Sequence, residues 1–224
     1  MDKGPHEGII QPGIWGDPIF GTIQYWHVTE KIDGTNVTIE LDLGNKTIEF
    51  WGHHTKSIMQ PQLLEFLKRE FKYENLCQFF DPSKARTVYL QGEGYGPGVQ
   101  HKIGQCPYGD QIGFVMFDIV IDGVWLQQDT VHQMAYMMNI PTVPEIGIMT
   151  KDEIHKFIES EPFSRFAVDH NPKVRVYEDK TPLPVMEGIV ARSDPLVCHR
   201  IPPHDPIMFK LKGRDLRELK LHPW

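Results

Sequence analysis

The sequence is short of cysteine. Its three, Cys77, Cys106 and Cys198, are odd in number and widely spaced, so they form neither a disulfide framework nor a Cys-x-x-Cys metal knuckle. Long apolar runs are missing too. Nothing approaches the roughly 18 residues of a membrane helix, and no membrane partner is expected. Residues Met1 to His6 lack the apolar segment of a signal peptide, which makes a cytoplasmic protein the expectation. Positive charge is scarce. Lys and Arg number 23 against 30 Asp and Glu, a formal net charge of −7. Proteins that hold long nucleic acid by bulk electrostatics usually carry the opposite sign. Any nucleic-acid contact must therefore be local, weak or metal-assisted. Repeats and low-complexity tracts are absent. The 11 histidines fall in no recognised ligand spacing and read as surface or satisfied residues.

What is present suffices for one large domain, with 224 residues of which 40% are hydrophobic. Residues 1–22 are punctuated by Pro5, Pro12 and Pro18 and read as an irregular arm, packed on the body through Trp15, Ile19 and Phe20. Two apolar, β-prone runs, 23–28 and 37–41, then flank a polar stretch, Glu30-Lys31-Ile32-Asp33-Gly34-Thr35-Asn36. With the alternating run 46–51 they predict an antiparallel meander over 23–51. A plain hairpin needs only the Asp-Gly turn. Lys31 either decorates that turn or is a nucleophile held on β scaffolding.

Pro61 and the apolar spacing at Leu63, Leu64, Leu67 and Phe71 predict a helix over 61–72, with a weaker one over 74–81. The run 87–90 reads as a strand leading into glycine-rich Gln91–Gln100. That segment lacks the Gly-Lys-Ser/Thr end of a phosphate loop, and Pro97 opposes a helix there. Glu93 is one carboxylate at a strand end, among glycines that let a ligand approach. Residues 112–121 form the most apolar strand. Asp118 interrupts it, and a buried carboxylate needs partners. Helices are predicted at 130–139, capped by Asp129, and at 151–159, where Thr150 and Glu153 form a capping box. Met134, Met137 and Met138 read as core filler on the first. The stretch 161–185 is mostly loop with a strand at 173–177. Met186–Arg192 is a short strand opening on Glu187. In Ile207–Gly213, Lys210 and Lys212 alternate with Phe209 and Leu211, so both lysines share a face. The tail, 214–224, is strongly charged.

Lys31, Asp33, Glu93, Asp118, Glu187, Lys210 and Lys212 are thus all carried on or beside strands. Carboxylates that hold a hard cation and lysines that meet phosphate oxygens suit a polyphosphate with a divalent metal. A lysine attacks only once deprotonated, which neighbouring cations assist.

In this order, Lys-x-Asp-Gly, Phe117-Asp118, Glu187-Gly188-Ile189-Val190 and Lys210-x-Lys212 resemble the covalent nucleotidyltransferase superfamily of polynucleotide ligases and mRNA capping enzymes. Asn36, where DNA ligases and capping enzymes usually have arginine, and the segment Gly92–Gln100 are similar to RNA ligases of the small nick-sealing phage and RNA-editing type. The resemblance implies an α+β fold: an antiparallel-sheet adenylylation domain, ATP-grasp-like, with flanking helices, over 23–213. It implies an ATP-dependent RNA ligase using Mg2+ or Mn2+. Such an enzyme joins RNA 3′-hydroxyl and 5′-phosphate ends through lysyl-AMP and RNA-adenylate intermediates. The implied roles are Lys31 as nucleophile, Asp33 and Asn36 ordering its loop, and Glu30 beside the adenine with Phe117 stacked on it. Glu93 would contact ribose or metal, Asp118 and Glu187 would serve metal and lysine, and Lys210 and Lys212 the phosphates, Lys212 nearest the reaction.

Two departures matter. The strand after the first hairpin usually supplies an arginine for the RNA phosphate, and here His54 or Lys56 stands in its region. No OB-fold or other appended domain is expected after Lys212, which implies either a minimal enzyme or one that relies on a repair partner protein to supply that domain. A minimal ATP-dependent DNA nick ligase, an enzyme that only adenylylates 5′ ends, and a non-catalytic module that binds nucleic-acid ends are the alternatives. A capping guanylyltransferase stands further off.

Overall fold

The computed structural model describes residues 18–52, 59–176, 183–200 and 204–213. Their strands make two antiparallel sheets. The first is built from β1 (Tyr25–Lys31), β7 (Glu145–Met149), β8 (Gly188–Asp194) and β9 (Met208–Lys212), in the order β7-β1-β8-β9. The second is built from β2 (Thr35–Asp42), β3 (Thr47–Trp51), β4 (Thr87–Tyr95), β5 (Gly113–Ile121) and β6 (Val124–Trp125), in the order β3-β2-β4-β5-β6. The helices are α1 (Pro61–Glu70), α2 (Tyr73–Leu76), α3 (Gln128–Met138), α4 (Lys151–Glu159), α5 (Arg165–His170) and α6 (Pro172–Val176). The α+β class with flanking helices is as expected.

The meander over 23–51 is not what forms. β2 pairs with β3, but β1 pairs with β7 and β8 in the other sheet. The Asp-Gly turn therefore carries the chain from one sheet to the next. Local sequence signals a reversal but not which strands it joins. Gly34 is needed for the crossing, because a Cβ there would lie 2.3 Å from the Gly94 carbonyl oxygen and 2.8 Å from Glu93 Cγ.

Each sheet buries one face under helices. Val37, Ile39 and Leu41 of β2 alternate inward and meet Leu63 and Leu67 of α1 and Val131 and Ala135 of α3. Trp26, Val28, Ile189 and Ala191 meet Ile154 and Ile158 of α4, with Ile19 and Phe20 of the arm packed alongside. Trp15 and the tail 214–224 lie outside the described residues. A third cluster, Ile32 with Tyr95, Tyr108, Val115, Val143 and Phe166, sits under the crossover turn.

The capping box at Thr150 and Glu153 forms as predicted. α3 starts at Gln128, two residues earlier than expected, so Gln127 and not Asp129 stands at its N-cap and Asp129 falls in its first turn. The predicted strand at 173–177 is instead α6, opened by Pro172, whose fixed φ suits a first helical position. Met138 is buried, but Met137 is 64% exposed and fills no core. None of the described helices is long and apolar enough to cross a membrane.

Gly188 locks β8 against β9, since a Cβ there would meet the Leu211 carbonyl oxygen at 2.2 Å. Gly188→Ala should therefore lower stability in urea unfolding by about 1–3 kcal/mol, as overpacking does. An unchanged midpoint would show that the strands part without cost.

Candidate active site

The register of the first sheet sets out the site in rows. Lys31 of β1 is opposite Gly188 of β8, which is opposite Lys212 of β9. The next row is Thr29, Val190 and Lys210, and the third is His27, Arg192 and Met208. Residues paired across strands share a face, so all three rows look the same way. The missing side chain at Gly188 leaves a gap between the two lysines of the first row.

Glu187 fills the centre of that row. Its Oε2 accepts from Lys31 Nζ at 2.7 Å and its Oε1 lies 2.9 Å from Lys212 Nζ. The exposure of these side chains falls between 16% and 29%, so the triad is shielded from bulk water, and of the three Lys31 lines the cleft.

The second sheet supplies the facing wall. Asn36 pairs in register with Glu93, and a β-bulge between Gln91 and Gly92 turns the following residues of β4. Both line the cleft with Phe117 of β5, opposite Thr29, Val190 and Lys210. The cleft measures about 600 Å³, its open mouth included. Burial pushes Glu93 up to about 7, and the nearby Lys31 and Lys210 only partly offset it.

Sequence reasoning missed what holds these groups. Asp33 lies with its Oδ2 3.3 Å from His101 Nε2, and its backbone N–H donates to Tyr108 Oη at 2.8 Å. Burial holds the Tyr108 hydroxyl in its protonated form. Glu30 is buried, and its carboxylate accepts from Ser164 Oγ and from the Phe166 N–H at the start of α5. Burial raises its pKa, against the pull of those donors. The Glu30 side chain is thus committed to α5, which leaves its backbone to face the cleft. Asp118 differs most from expectation. Gln128 Nε2 donates to one of its oxygens at 2.8 Å and Arg192 Nη2 to the other at 2.7 Å. Burial raises its pKa, with the Arg192 charge opposing. A carboxylate so occupied is a wall element rather than a ready metal ligand. The apolar strand around Asp118 had signalled a buried partner, and Arg192, the one cation inside β8, was the residue to find.

The residues expected at a metal do not gather on one point. Among the described residues no three His, Cys, Asp or Glu side chains are grouped to hold an ion. His54 and Lys56, expected at the RNA end, lie outside the described residues.

Two antiparallel sheets flank a lysine–carboxylate–lysine row, whose cations suit phosphate oxygens. Residues 24–211 match the model of the RNA ligase family, and the chain belongs to that family. No curated protein matches it in sequence. In structure it is similar to the Naegleria gruberi RNA ligase with pyrophosphate, at a TM-score of 0.59 and 17% identity over 89% of this chain and 52% of that one. A mutant of that ligase with ATP and Mn gives a TM-score of 0.57 and 18% identity over 88% of this chain and 52% of that one. The chain thus spans about half the length of the ligase it resembles.

A carboxylate with a raised pKa gives stability that is complete below its unfolded pKa, near 4.5, and lost as pH rises through about 7. The stability gap between Glu93→Gln and the parent should therefore widen in favour of the variant from pH 4.5 to 7. Chemical denaturation across that range checks it, and a gap that does not change with pH would count against the burial of Glu93.

Proposed function

We propose that this chain is the adenylylating domain of an ATP-dependent RNA ligase, acting in the cytoplasm. The observation that carries the reading is the row Lys31–Glu187–Lys212, held in register across Gly188. Glu187 aims Lys31 Nζ at the cleft. Lys31 then attacks the ATP α-phosphorus. A P–N bond forms, the P–O bond to pyrophosphate breaks, and the proton on Nζ leaves to solvent before attack. Lys212 and Lys210, on one face of β9, bind the phosphate oxygens. Phe117 and Val190 flank the base from opposite sheets. Asp33, held by His101 and Tyr108, and Asn36 keep the nucleophile turn in place. The adenylyl group then passes to an RNA 5′-phosphate, and a 3′-hydroxyl displaces AMP.

Magnesium or manganese fits one part of this site. Glu93 is a half-buried carboxylate that its lysine neighbours do not fully compensate, and it would hold the ion together with phosphate oxygens, with Glu187 nearby. Such ions usually bind through one or two carboxylates plus phosphates. When bound, the ion supplies positive charge at the reacting phosphate. Asp118 serves by holding Arg192 beside Phe117.

Transfer of label from α-labelled ATP to the protein should be lost in Lys31→Ala and fall at least about 100-fold in Glu187→Ala, since both act on the attacking atom. An undiminished adduct in Lys31→Ala would overturn the reading. The same preparation, offered nicked RNA and nicked DNA, separates an RNA ligase from a DNA nick ligase.

A further inference from the structure

Beyond the third row of the sheet lies a second pocket of about 490 Å³, separate from the nucleotide cleft but sharing Arg192 with it. Three of its lining side chains are more than nine-tenths buried, with exposures of 7% for His27, 7% for Gln128 and 3% for Arg192. Each keeps polar atoms that no hydrogen bond reaches: Gln128 Oε1, Arg192 Nε and Nη1, and His27 Nε2, which has the Glu145 carboxylate 3.6 Å away. Arg192 spends only Nη2 on Asp118, and Gln128 spends only Nε2. Leaving such buried atoms unsatisfied is unfavourable, so a complementary occupant is favoured. The pocket also receives the N-terminus of α3, where Gln127 offers no side-chain cap to the first backbone N–H groups.

The unmet groups specify the occupant. The two guanidinium nitrogens and the helix N–H groups are donors, His27 Nε2 serves as donor in one tautomer, and Gln128 Oε1 is an acceptor. Asp129 and Asp194 also line the pocket and disfavour a fully ionised guest. A tetrahedral oxyanion that retains one proton meets all of these. Its oxygens accept from Arg192, His27 and the α3 terminus, and its hydroxyl donates to Gln128 or a carboxylate. We propose that this pocket is a phosphate-monoester site, taking either free monohydrogen phosphate or the terminal phosphate of an RNA strand. Arg192 then links it to the nucleotide cleft, because the same guanidinium fixes Asp118 and lies 5.8 Å from the Phe117 ring centroid. The proposal does not depend on adenylylation at Lys31, and a chain inactive with ATP would still bind phosphate here.

The test is titration of inorganic phosphate, followed by calorimetry or phosphorus NMR, with a dissociation constant on the order of 1 mM expected. Gln127 is exposed and makes no cap bond, so its variants should leave folding intact. Q127E should weaken binding about threefold or more and Q127K should tighten it by a similar factor. Neither should move the label transfer from ATP, and the helix dipole should shift the melting temperature only slightly, upward in Q127E and downward in Q127K. A 5′-phosphorylated dinucleotide that displaces phosphate, where its 5′-hydroxyl form does not, would mark an RNA end as the source, and no displacement would mark free phosphate. Binding lost in Lys210→Ala but indifferent to Gln127 would place the anion in the nucleotide cleft and overturn the proposal. So would no binding at about 10 mM, which would leave water as the occupant.

Discussion

One carboxylate organises the catalytic end of the molecule. Glu187 takes a lysine on each oxygen, and those lysines come from strands on either side of its own. Without it, the two ammonium groups would repel each other. The intervening carboxylate turns that repulsion into two attractions and fixes both Nζ atoms in one place. Net charge in the row stays positive by one, which favours an incoming polyphosphate. The rest of the molecule stays acidic, at −7 overall. Attraction for phosphate is therefore a property of the row and not of the protein's general field.

The geometry of that row depends on the short connection that carries the chain from one sheet to the other at the nucleophile. The connection is three residues, Ile32, Asp33 and Gly34. Ile32 is 3% exposed and packs with Tyr95, Tyr108 and Phe166. Tyr108 binds the Asp33 N–H, His101 approaches the Asp33 carboxylate, and Gly34 touches the backbone of β4. Every residue of the turn is thus tied to something other than its neighbours in sequence. Glu30, one step earlier, is tied to α5. Such ties pre-position an attacking atom, and pre-positioning can be worth several kcal/mol of barrier.

The charged row was legible in the sequence because it obeys strand periodicity. Lys210 and Lys212 share a face by alternation alone, and Glu-Gly at the head of β8 marks both the carboxylate and the close approach that only glycine permits. The capping box of α4 is likewise a local pattern, four residues long, and it formed as written. What local pattern cannot carry is the identity of a strand's partner. β1 joins β8, more than 150 residues on, so the meander drawn from the Asp-Gly turn had the right turn and the wrong pairing. The α6 segment misled for a related reason. Val174 and Val176 favour strand, but Pro172 at the first helical position and Asn171 Oδ1, which accepts from the Lys173 N–H, favour a helical turn. His101, Tyr108 and Ser164 carried no signal of their own, since their roles exist only after loops distant in sequence are brought under the turn.

Asp118 and Arg192 show how a buried ion pair can matter without adding much stability. Both side chains are 3% exposed, and desolvation cancels most of what their attraction gains. Packed apolar residues would hold the sheets together at least as well. The pair instead makes the back of the nucleotide cleft polar and rigid, with Gln128 completing the shell of Asp118 and Phe117 lying against the guanidinium. A buried arginine that satisfied Asp118 alone would need only a fork of two nitrogens turned to it. This one spends a single nitrogen there and leaves two unpaired. Folding alone gives no reason to bury donors that way, so their orientation is best understood as serving whatever occupies the space beyond the wall.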